Sequence, residues 1–317
     1  MWRALFVSLS RNRTMKERVM RWGFVWRAAS RFVAGETLED GLRAIRELEA
    51  LGIRGILDHL GENVESEADA NRATEDYLLA LDRIETMRPG GSLALSSLPH
   101  LAVKLTHLGL DIHEELCERN LRRVIERAAR AGTVVEIDME SSAYTERTLN
   151  LYRRLASEYP NTRIAIQAYL YRSREDVERL IEEGIARIRL CKGAYQEPPH
   201  LAYPRKRDVD ASYVRLMERL LSAEARARGA YVAIATHDER IIQRALSRIR
   251  EWEVPRDAFE FQMLYGIRRD LQATLARQGF TVRVYVPYGT EWYPYFMRRL
   301  GERPANVWFV VRNLFYA

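Results

Sequence analysis

Thr281-Val-Arg-Val-Tyr285-Val-Pro287-Tyr288-Gly289-Thr-Glu-Trp292-Tyr293-Pro294-Tyr295-Phe-Met-Arg298-Arg299 reads as one strand followed by one helix. Residues 281–286 are rich in β-branched side chains, which suit a pleated buried surface. Pro287 and Gly289 break the run, and Thr290 can cap the helix beyond. On that helix Tyr295 precedes Arg298 by three positions and Arg299 by four, and Glu302 follows them at the same spacings. Such spacings put all four on neighbouring parts of one helix face. Two guanidinium groups beside a tyrosine, just past the carboxyl end of a strand, suit a planar carboxylate or a phosphate. Taken alone, the pair reads as a solvated basic surface. Its place in the chain changes that reading.

Upstream, the same strand-then-helix grammar recurs. Strands are expected at 53–58, 102–106, 133–138, 163–167, 186–191, 231–236 and 259–263. Helices are expected at 66–87, 111–131, 144–159, from Ser173 on, at 210–228, and up to Trp252 and Gln278. With the opening unit, that makes eight alternations. Eight such units imply a parallel sheet with helices outside, and eight is the number that closes a (β/α)8 TIM barrel, an α/β fold. A doubly wound sheet is the alternative, but it usually carries a glycine-rich turn after its first strand, and none is present here.

Ahead of the barrel, Thr37 and Asp40 cap a helix that Gly52 stops. Residues 1–52 are therefore expected as an N-terminal helical arm packed on or beside a catalytic barrel at 53–317. The first part of the arm sets Arg3, Arg11, Arg13, Lys16, Arg18, Arg21, Arg27 and Arg31 against Glu17 alone. It also holds three of the six tryptophans, and Thr14-Met-Lys-Glu17 forms a capping box. A basic amphipathic helix of this kind can lie on an anionic membrane. A helical arm packed on the body, arginines outward, accounts for the same residues.

Composition narrows the function classes. The chain has 317 residues, 47% of them hydrophobic, enough for a large core. Net charge is +6, with charges of both signs making up 30% of the chain. That bias is mild and demands no nucleic acid. No basic tract, zinc-finger spacing or aromatic RNA-binding signature is present. Cys117 and Cys191 cannot make a disulfide framework, which points to a reducing cytoplasm. No apolar run reaches spanning length, and the charged N-terminus does not read as a secretory signal.

In a closed barrel the carboxyl ends of the strands form the site. The polar residues expected there are Asp58 and Glu62; Lys104 and Thr106; Asp138 and Glu140; Gln167 and Tyr169; Arg189 and Lys192; Thr236, His237 and Asp238; Gln262 and Tyr265; Tyr285 and Tyr288. One such pair means little, because strands end in something polar. Polar residues at all eight strand ends make a functional mouth. Neither G-x-S-x-G nor H-E-x-x-H occurs. His237 is the one histidine at an expected strand end, which opposes a three-histidine metal site, and no metal is expected. Lys104, Arg189, Lys192, Arg298 and Arg299 give a net cationic mouth that should take an anionic substrate or cofactor group. Gly193-Ala194 allow close backbone approach to it.

Six strings in register carry a resemblance: Lys104-Leu-Thr106; Asp138-Met139-Glu140; Gln167 with Leu170-Tyr171-Arg172; Arg189-Leu-Cys-Lys192-Gly193-Ala194-Tyr195; Ala235-Thr236-His237-Asp238; and Tyr295-Phe-Met-Arg298-Arg299. From about Ala34 to the C-terminus they resemble the flavin-dependent proline dehydrogenases, most of all the compact, monofunctional bacterial enzymes. The resemblance implies FAD at the strand ends of a (β/α)8 barrel. It implies oxidation of L-proline to Δ1-pyrroline-5-carboxylate, with electrons passed to a membrane quinone. By position, Arg298, Arg299 and Lys104 would hold the substrate carboxylate. Tyr195, Tyr285 and Tyr295 would surround the ring. Asp138 would pair with Lys104 and order the site, and Arg189 would contact the flavin near its hydride-accepting nitrogen. Met139, Gln167, Lys192, Gly193, Ala194, Thr236 and His237 would contact FAD. Glu62 would pair with Arg298 as a gate.

Proline oxidation asks for these residue types. The amine must be neutral, the carboxylate clamped and the ring flat against the isoalloxazine. A cation at Arg189 would stabilise the reduced anionic ring. No general base stands out. Cys191 departs from the apolar residue expected inside the lysine-glycine motif, and a small buried thiol should leave function unchanged. Three other readings stay open at this point: a related flavoenzyme acting on hydroxyproline, a Schiff-base lyase using Lys104 or Lys192, and a binder of anionic lipid or nucleic acid. Transfer of product to a pyrroline-5-carboxylate dehydrogenase, and peripheral contact with the inner face of a membrane, are further expectations.

Overall fold

A computed structural model describes residues 23–88 and 98–302. The helix expected to open at Thr14 and the loop expected at 89–92 lie outside the described residues. Eight strands close into one parallel barrel, each paired with its sequence neighbours, with the first joined to the last. The strands are β1 (Arg54–His59), β2 (His100–Val103), β3 (Val135–Ile137), β4 (Thr162–Gln167), β5 (Arg187–Cys191), β6 (Tyr231–Ala235), β7 (Phe259–Leu264) and β8 (Val282–Tyr288). Closure runs through Ile56 opposite Tyr285 and Asp58 opposite Pro287.

Alternation along each strand explains the layering. Val135 and Ile137, Ile164 and Ile166, Ile188 and Leu190, Phe259 and Phe261, and Val282 and Val284 turn outward into one apolar cluster with the surrounding helices. Between them Glu136, Arg163, Arg189, Glu260 and Arg283 turn inward and are all buried. The lumen is therefore a layer of charges jacketed by a hydrocarbon shell.

The helices are α1 (Gly23–Ala29), α2 (Leu38–Glu49), α3 (Glu67–Thr86), α4 (Glu114–Ala131), α5 (Ser142–Ala156), α6 (Ser173–Glu182), α7 (Lys206–Leu221), α8 (Ala223–Ala227), α9 (Glu239–Glu251), α10 (Arg269–Arg277) and α11 (Trp292–Glu302). Thr37 and Asp40 form the expected capping box on α2. Ser66 caps α3, its side chain accepting from Asp69 N. α2 packs on the outside of β1 and β8. Gly55 permits this, since a Cβ there would lie 2.6 Å from Ile45.

Several boundaries differ from expectation. β2 runs from His100 to Val103 rather than over 102–106. The chain turns at Lys104, whose carbonyl accepts from His107 N and Leu108 N. α4 starts at Glu114, not Asp111. The helix expected over 210–228 begins earlier, at Lys206, and splits at Ser222, whose extended backbone (ψ 150) ends α7 while its hydroxyl caps α8. β8 passes through Pro287, whose carbonyl accepts from Ala34 N.

A second apolar cluster lies apart from the barrel shell. Val25, Ala28, Ala29, Phe32 and Val33 pack there against Trp292, Tyr293, Phe296, Met297 and Leu300. The edge-on contact of Trp26 with Trp292, centroids 5.1 Å apart, belongs to the same pairing. The helix that carries Arg298 and Arg299 thus rests its apolar side on the segment containing α1. No helix among the described residues is long and apolar enough to cross a membrane.

Candidate active site

At the floor of the lumen Glu260 faces Arg283 at 3.3 Å and Arg163 at 3.1 Å. Arg283 also donates to the carbonyls of Gly55 and Leu98, each at 3.2 Å. Glu136 lies 2.6 Å from His100 Nδ1 and accepts from Gln262 Nε2. Burial pushes the His100 imidazole down to about 3, so it is neutral. His100, Glu136 and Glu260 could each bring a ligand atom within 4.8 Å of the others. Arginines already engage both carboxylates, and a cation would have to displace them.

One layer up, Asp138 joins three elements. Its carboxylate accepts from Tyr285 Oη at 2.5 Å and from Arg189 Nη1, and it stands 3.4 Å from Lys104 Nζ. Lys104 has a closer partner in Asp58, at 2.9 Å. Arg189 Nε reaches Glu136 at 2.8 Å, and its guanidinium lies 5.1 Å from the Tyr285 ring centroid. Burial works against the ionised form of Asp138, but Arg189 and Lys104 outweigh it and hold the carboxyl below its usual range. Asp58 goes the other way. Burial raises it and Lys104 only partly offsets that.

The mouth is assembled from loops and from α11. Arg298 Nη1 donates to Glu62 Oε1 at 2.9 Å, and the Arg299 guanidinium lies 5.1 Å from the Tyr295 ring centroid. The side chain of Glu302, expected on the same face, lies outside the described residues. Burial raises the Tyr195 hydroxyl, with Glu62 adding to the rise and Arg298 opposing it. Gln167 Nε2 donates to the carbonyls of Met139 and Glu140, at 3.2 and 2.7 Å. Its Oε1 is buried without a hydrogen-bond partner among the described residues. Gly193 adopts φ +122, and a Cβ there would enter the Tyr169 ring at 2.4 Å. Lys192, just past the end of β5, is paired with Asp210 at 2.5 Å and Asp238 at 2.7 Å. Thr236 Oγ1 accepts from Asp238 N, and His237 Nε2 accepts from Leu264 N at 2.9 Å. Ala194 lies between Gly193 and Tyr195 on the same loop.

Two expectations change. The mouth is not an unbalanced cationic funnel, because Lys104, Arg189, Lys192 and Arg298 each meet a carboxylate. Nor is His237 the only histidine at a strand end. β1 ends at His59, whose ring stacks on Tyr288 at 5.1 Å and lies 5.5 Å from His107. Strand-end reasoning singled out neither Glu136 nor Glu260. Their signal was an acid flanked by apolar neighbours within a strand, Val-Glu136-Ile and Phe-Glu260-Phe, which marks an inward-facing charge.

Comparison with known proteins adds a chemical identity to this geometry. A family profile described as proline dehydrogenase matches residues 41–312. Proline dehydrogenase 1 of Bacillus subtilis (strain 168) is 40% identical over 315 residues, covering 99% of both chains. The proline dehydrogenase of Deinococcus radiodurans is 41% identical over 295 residues, covering 92% of this chain and 91% of that one. Among solved structures, proline utilization A from Bdellovibrio bacteriovorus, inactivated by N-propargylglycine, superposes with a TM-score of 0.79 at 26% identity. That match covers 87% of this chain but only 32% of the larger protein.

Proposed function

The chain belongs to the proline dehydrogenase family, and on that premise we propose that it oxidises L-proline to Δ1-pyrroline-5-carboxylate with FAD as the cofactor. The observation that carries this reading is the placement of Arg298 and Arg299 on a helix at the mouth, where Arg298 reaches Glu62 from β1's loop, above the network that joins Lys104, Asp138, Arg189 and Tyr285. Arginines so placed can take a carboxylate in two parallel hydrogen bonds. The tyrosine hydroxyls and rings of Tyr195, Tyr285 and Tyr295 wall off a small ring from water. Asp138 orients the Tyr285 hydroxyl and the Lys104 ammonium at once.

The residues present fit a flavin. Gln167 offers a buried acceptor for a ring N–H, and Gly193 lets the backbone come close where a side chain would clash. Met139, Gln167, Arg189, Lys192, Gly193, Ala194, Thr236 and His237 would hold it. FAD bound there would supply the acceptor for the hydride that leaves the ring carbon beside nitrogen. The chain's own task is to keep the carboxylate clamped, to present that carbon, and to hold a fixed cation, Arg189, at the place where negative charge develops. The amine proton leaves to solvent. Passage of electrons to a quinone, a pyrroline-5-carboxylate dehydrogenase that takes the product, and a cytoplasmic protein touching the membrane peripherally belong to the same proposal. So does the division into an arm through residue 52 and a catalytic barrel beyond it.

The test is the visible spectrum of purified protein before and after anaerobic L-proline. Bleaching of a flavin spectrum by proline is expected, and its absence in the Arg298→Met, Arg299→Met double variant. A flavin that ignores proline would overturn the substrate. A protein that stays colourless with added FAD would overturn the cofactor.

A further inference from the structure

Thr106 and Glu140 sit two residues beyond Lys104 and Asp138, and both are buried. Thr106 N donates to Glu140 Oε1 at 3.1 Å, and Thr106 Oγ1 donates to Glu140 Oε2 at 2.8 Å. With its one proton committed, the hydroxyl has only lone pairs left to offer. It uses them on the neighbouring loop, accepting from Asn63 N at 3.1 Å. The Thr106 carbonyl accepts from Val64 N at 3.4 Å. One threonine thus fastens two consecutive residues of the loop that leaves β1.

Asn63 is one of three non-glycine residues with positive φ among the described residues, at φ 55. A left-handed backbone is costly for most residues with a Cβ; asparagine bears it best, and contacts from its surroundings fix it there. The holding contact here is the Thr106 hydroxyl, whose direction Glu140 sets. The residue just before Asn63 is Glu62, which accepts from Arg298 at 2.9 Å. On its far side the Glu140 carbonyl accepts from Gln167 Nε2. Thr106 therefore links the loop after β1 to β3 and β4 and touches neither Glu62 nor Arg298 through any of these bonds.

We propose that Thr106, oriented by Glu140, is the latch that fixes the backbone at Asn63 and so aims Glu62 at Arg298, making it a positioning residue for substrate retention. The proposal rests on the reading of Arg298 as part of the carboxylate clamp. If Glu62 is misaimed, Arg298 loses the partner that holds it over the site, so the bound substrate is held less well while the reacting groups deeper in the lumen stay in place.

The experiment is steady-state kinetics with L-proline on the flavin-loaded full chain. Thr106→Val keeps the shape and removes the hydroxyl. It is expected to raise KM about 2- to 5-fold with kcat within about twofold. Thr106→Ser restores the hydroxyl and should return KM to the wild-type value. Asn63 is exposed, so its variants test the latch without disturbing the core. Asn63→Val, poorly suited to positive φ, should raise KM like Thr106→Val, whereas Asn63→Gly should behave as wild type. The thermal midpoint of Asn63→Val should fall by only about a few degrees. Should Thr106→Val fail to fold, the Asn63 pair decides. Wild-type KM in Asn63→Val, or a kcat loss that matches the KM change in every variant, overturns the latch. Wild-type protein that holds flavin and does not turn over proline overturns the functional reading instead.

Discussion

Glu260 and Arg283, both fully buried on the barrel floor, face each other at 3.3 Å, with Arg163 and Gln262 completing the carboxylate's partners. At the mouth, Arg298 spends one bond on Glu62 from a loop, and Gln167 keeps a buried oxygen without a hydrogen-bond partner among the described residues. On the floor both carboxylates are met by arginines, although His100 Nε2 is buried without a hydrogen-bond partner among the described residues; at the mouth the carboxylates meet fewer cations. A saturated ion layer fixes geometry, while a partly satisfied one can still gain by taking a guest. Both regions draw on acids and arginines, so residue type does not separate structure from site. How fully each carboxylate is met by cations does.

The sharpest way to break the contrast is to unbalance the floor. Arg283→Met strands Glu260 in the lumen, and removing one partner of a buried pair costs about 3 to 5 kcal/mol. Chemical denaturation should show a loss of that size, and the double variant Arg283→Met, Glu260→Gln should recover most of it. A single variant within about 1 kcal/mol of wild type would mean that the floor is not a structural ion layer.

The next effect separates the regions by pH. Glu140 at the mouth accepts from Thr106, and no cation among the described residues bonds to it directly, so burial raises its carboxyl to about 7. An acid with a raised folded pKa contributes stability below its unfolded value of 4.5, and that contribution is lost as pH rises through about 7. Between those values the folded state holds the extra proton. The span corresponds to a loss on the order of 3 kcal/mol. Glu140→Gln should flatten this part of the profile, so the stability difference between variant and wild type should grow in the variant's favour from pH 4.5 to 7. Arginines hold Glu136 and Glu260 on the floor well below the carboxylate range, and those two contribute no slope in that window. A parallel shift at all pH values would remove the distinction.

The contrast also separates what could be read in the sequence from what could not. Eight strand-helix units and the outward apolar rows were legible, because alternation is a local signal. So were Lys104, Asp138, Arg189, Arg298 and Arg299 as groups at the strand ends. The partners were not. Asp58 lies 46 positions from Lys104, and Gln262 lies 126 from Glu136, distances that only barrel closure brings to hydrogen-bond range. For the same reason the mouth looked cationic. Counting charges along strands misses Asp210 and does not pair Asp238 with Lys192, on which the two close from separate segments. The latch at Thr106 depends on the backbone of Asn63, and a positive φ on asparagine has no unambiguous mark in sequence.

At the mouth, Arg299→Met removes half of the proposed clamp. A hydrogen bond to a charged group is worth roughly 1.5 to 3 kcal/mol, so kcat/KM for L-proline should fall about 10- to 100-fold. Stability should move by less than the roughly 3 to 5 kcal/mol of the floor variant. Arg299→Lys should rescue little, because an ammonium cannot reproduce the planar two-bond grip. Equal losses in stability and activity would place Arg299 with the floor rather than the site.

The smallest effect is the finest probe of the boundary between the two regions. The Glu62 and Arg298 side chains are 26% and 18% exposed, so water screens their pair in a way it cannot on the floor. Pairs of this kind contribute about 0.2 to 1 kcal/mol, and Glu62→Gln should raise KM for L-proline no more than about fivefold. It should also remove part of the salt dependence. Wild-type KM should rise with ionic strength as the pair weakens, and the variant's KM should rise less. The Arg283–Glu260 pair, out of reach of salt, predicts no such trend in stability. If Glu62→Gln leaves both KM and its salt dependence unchanged, the pair is only a surface contact, and the mouth then begins at Arg299 and Tyr295.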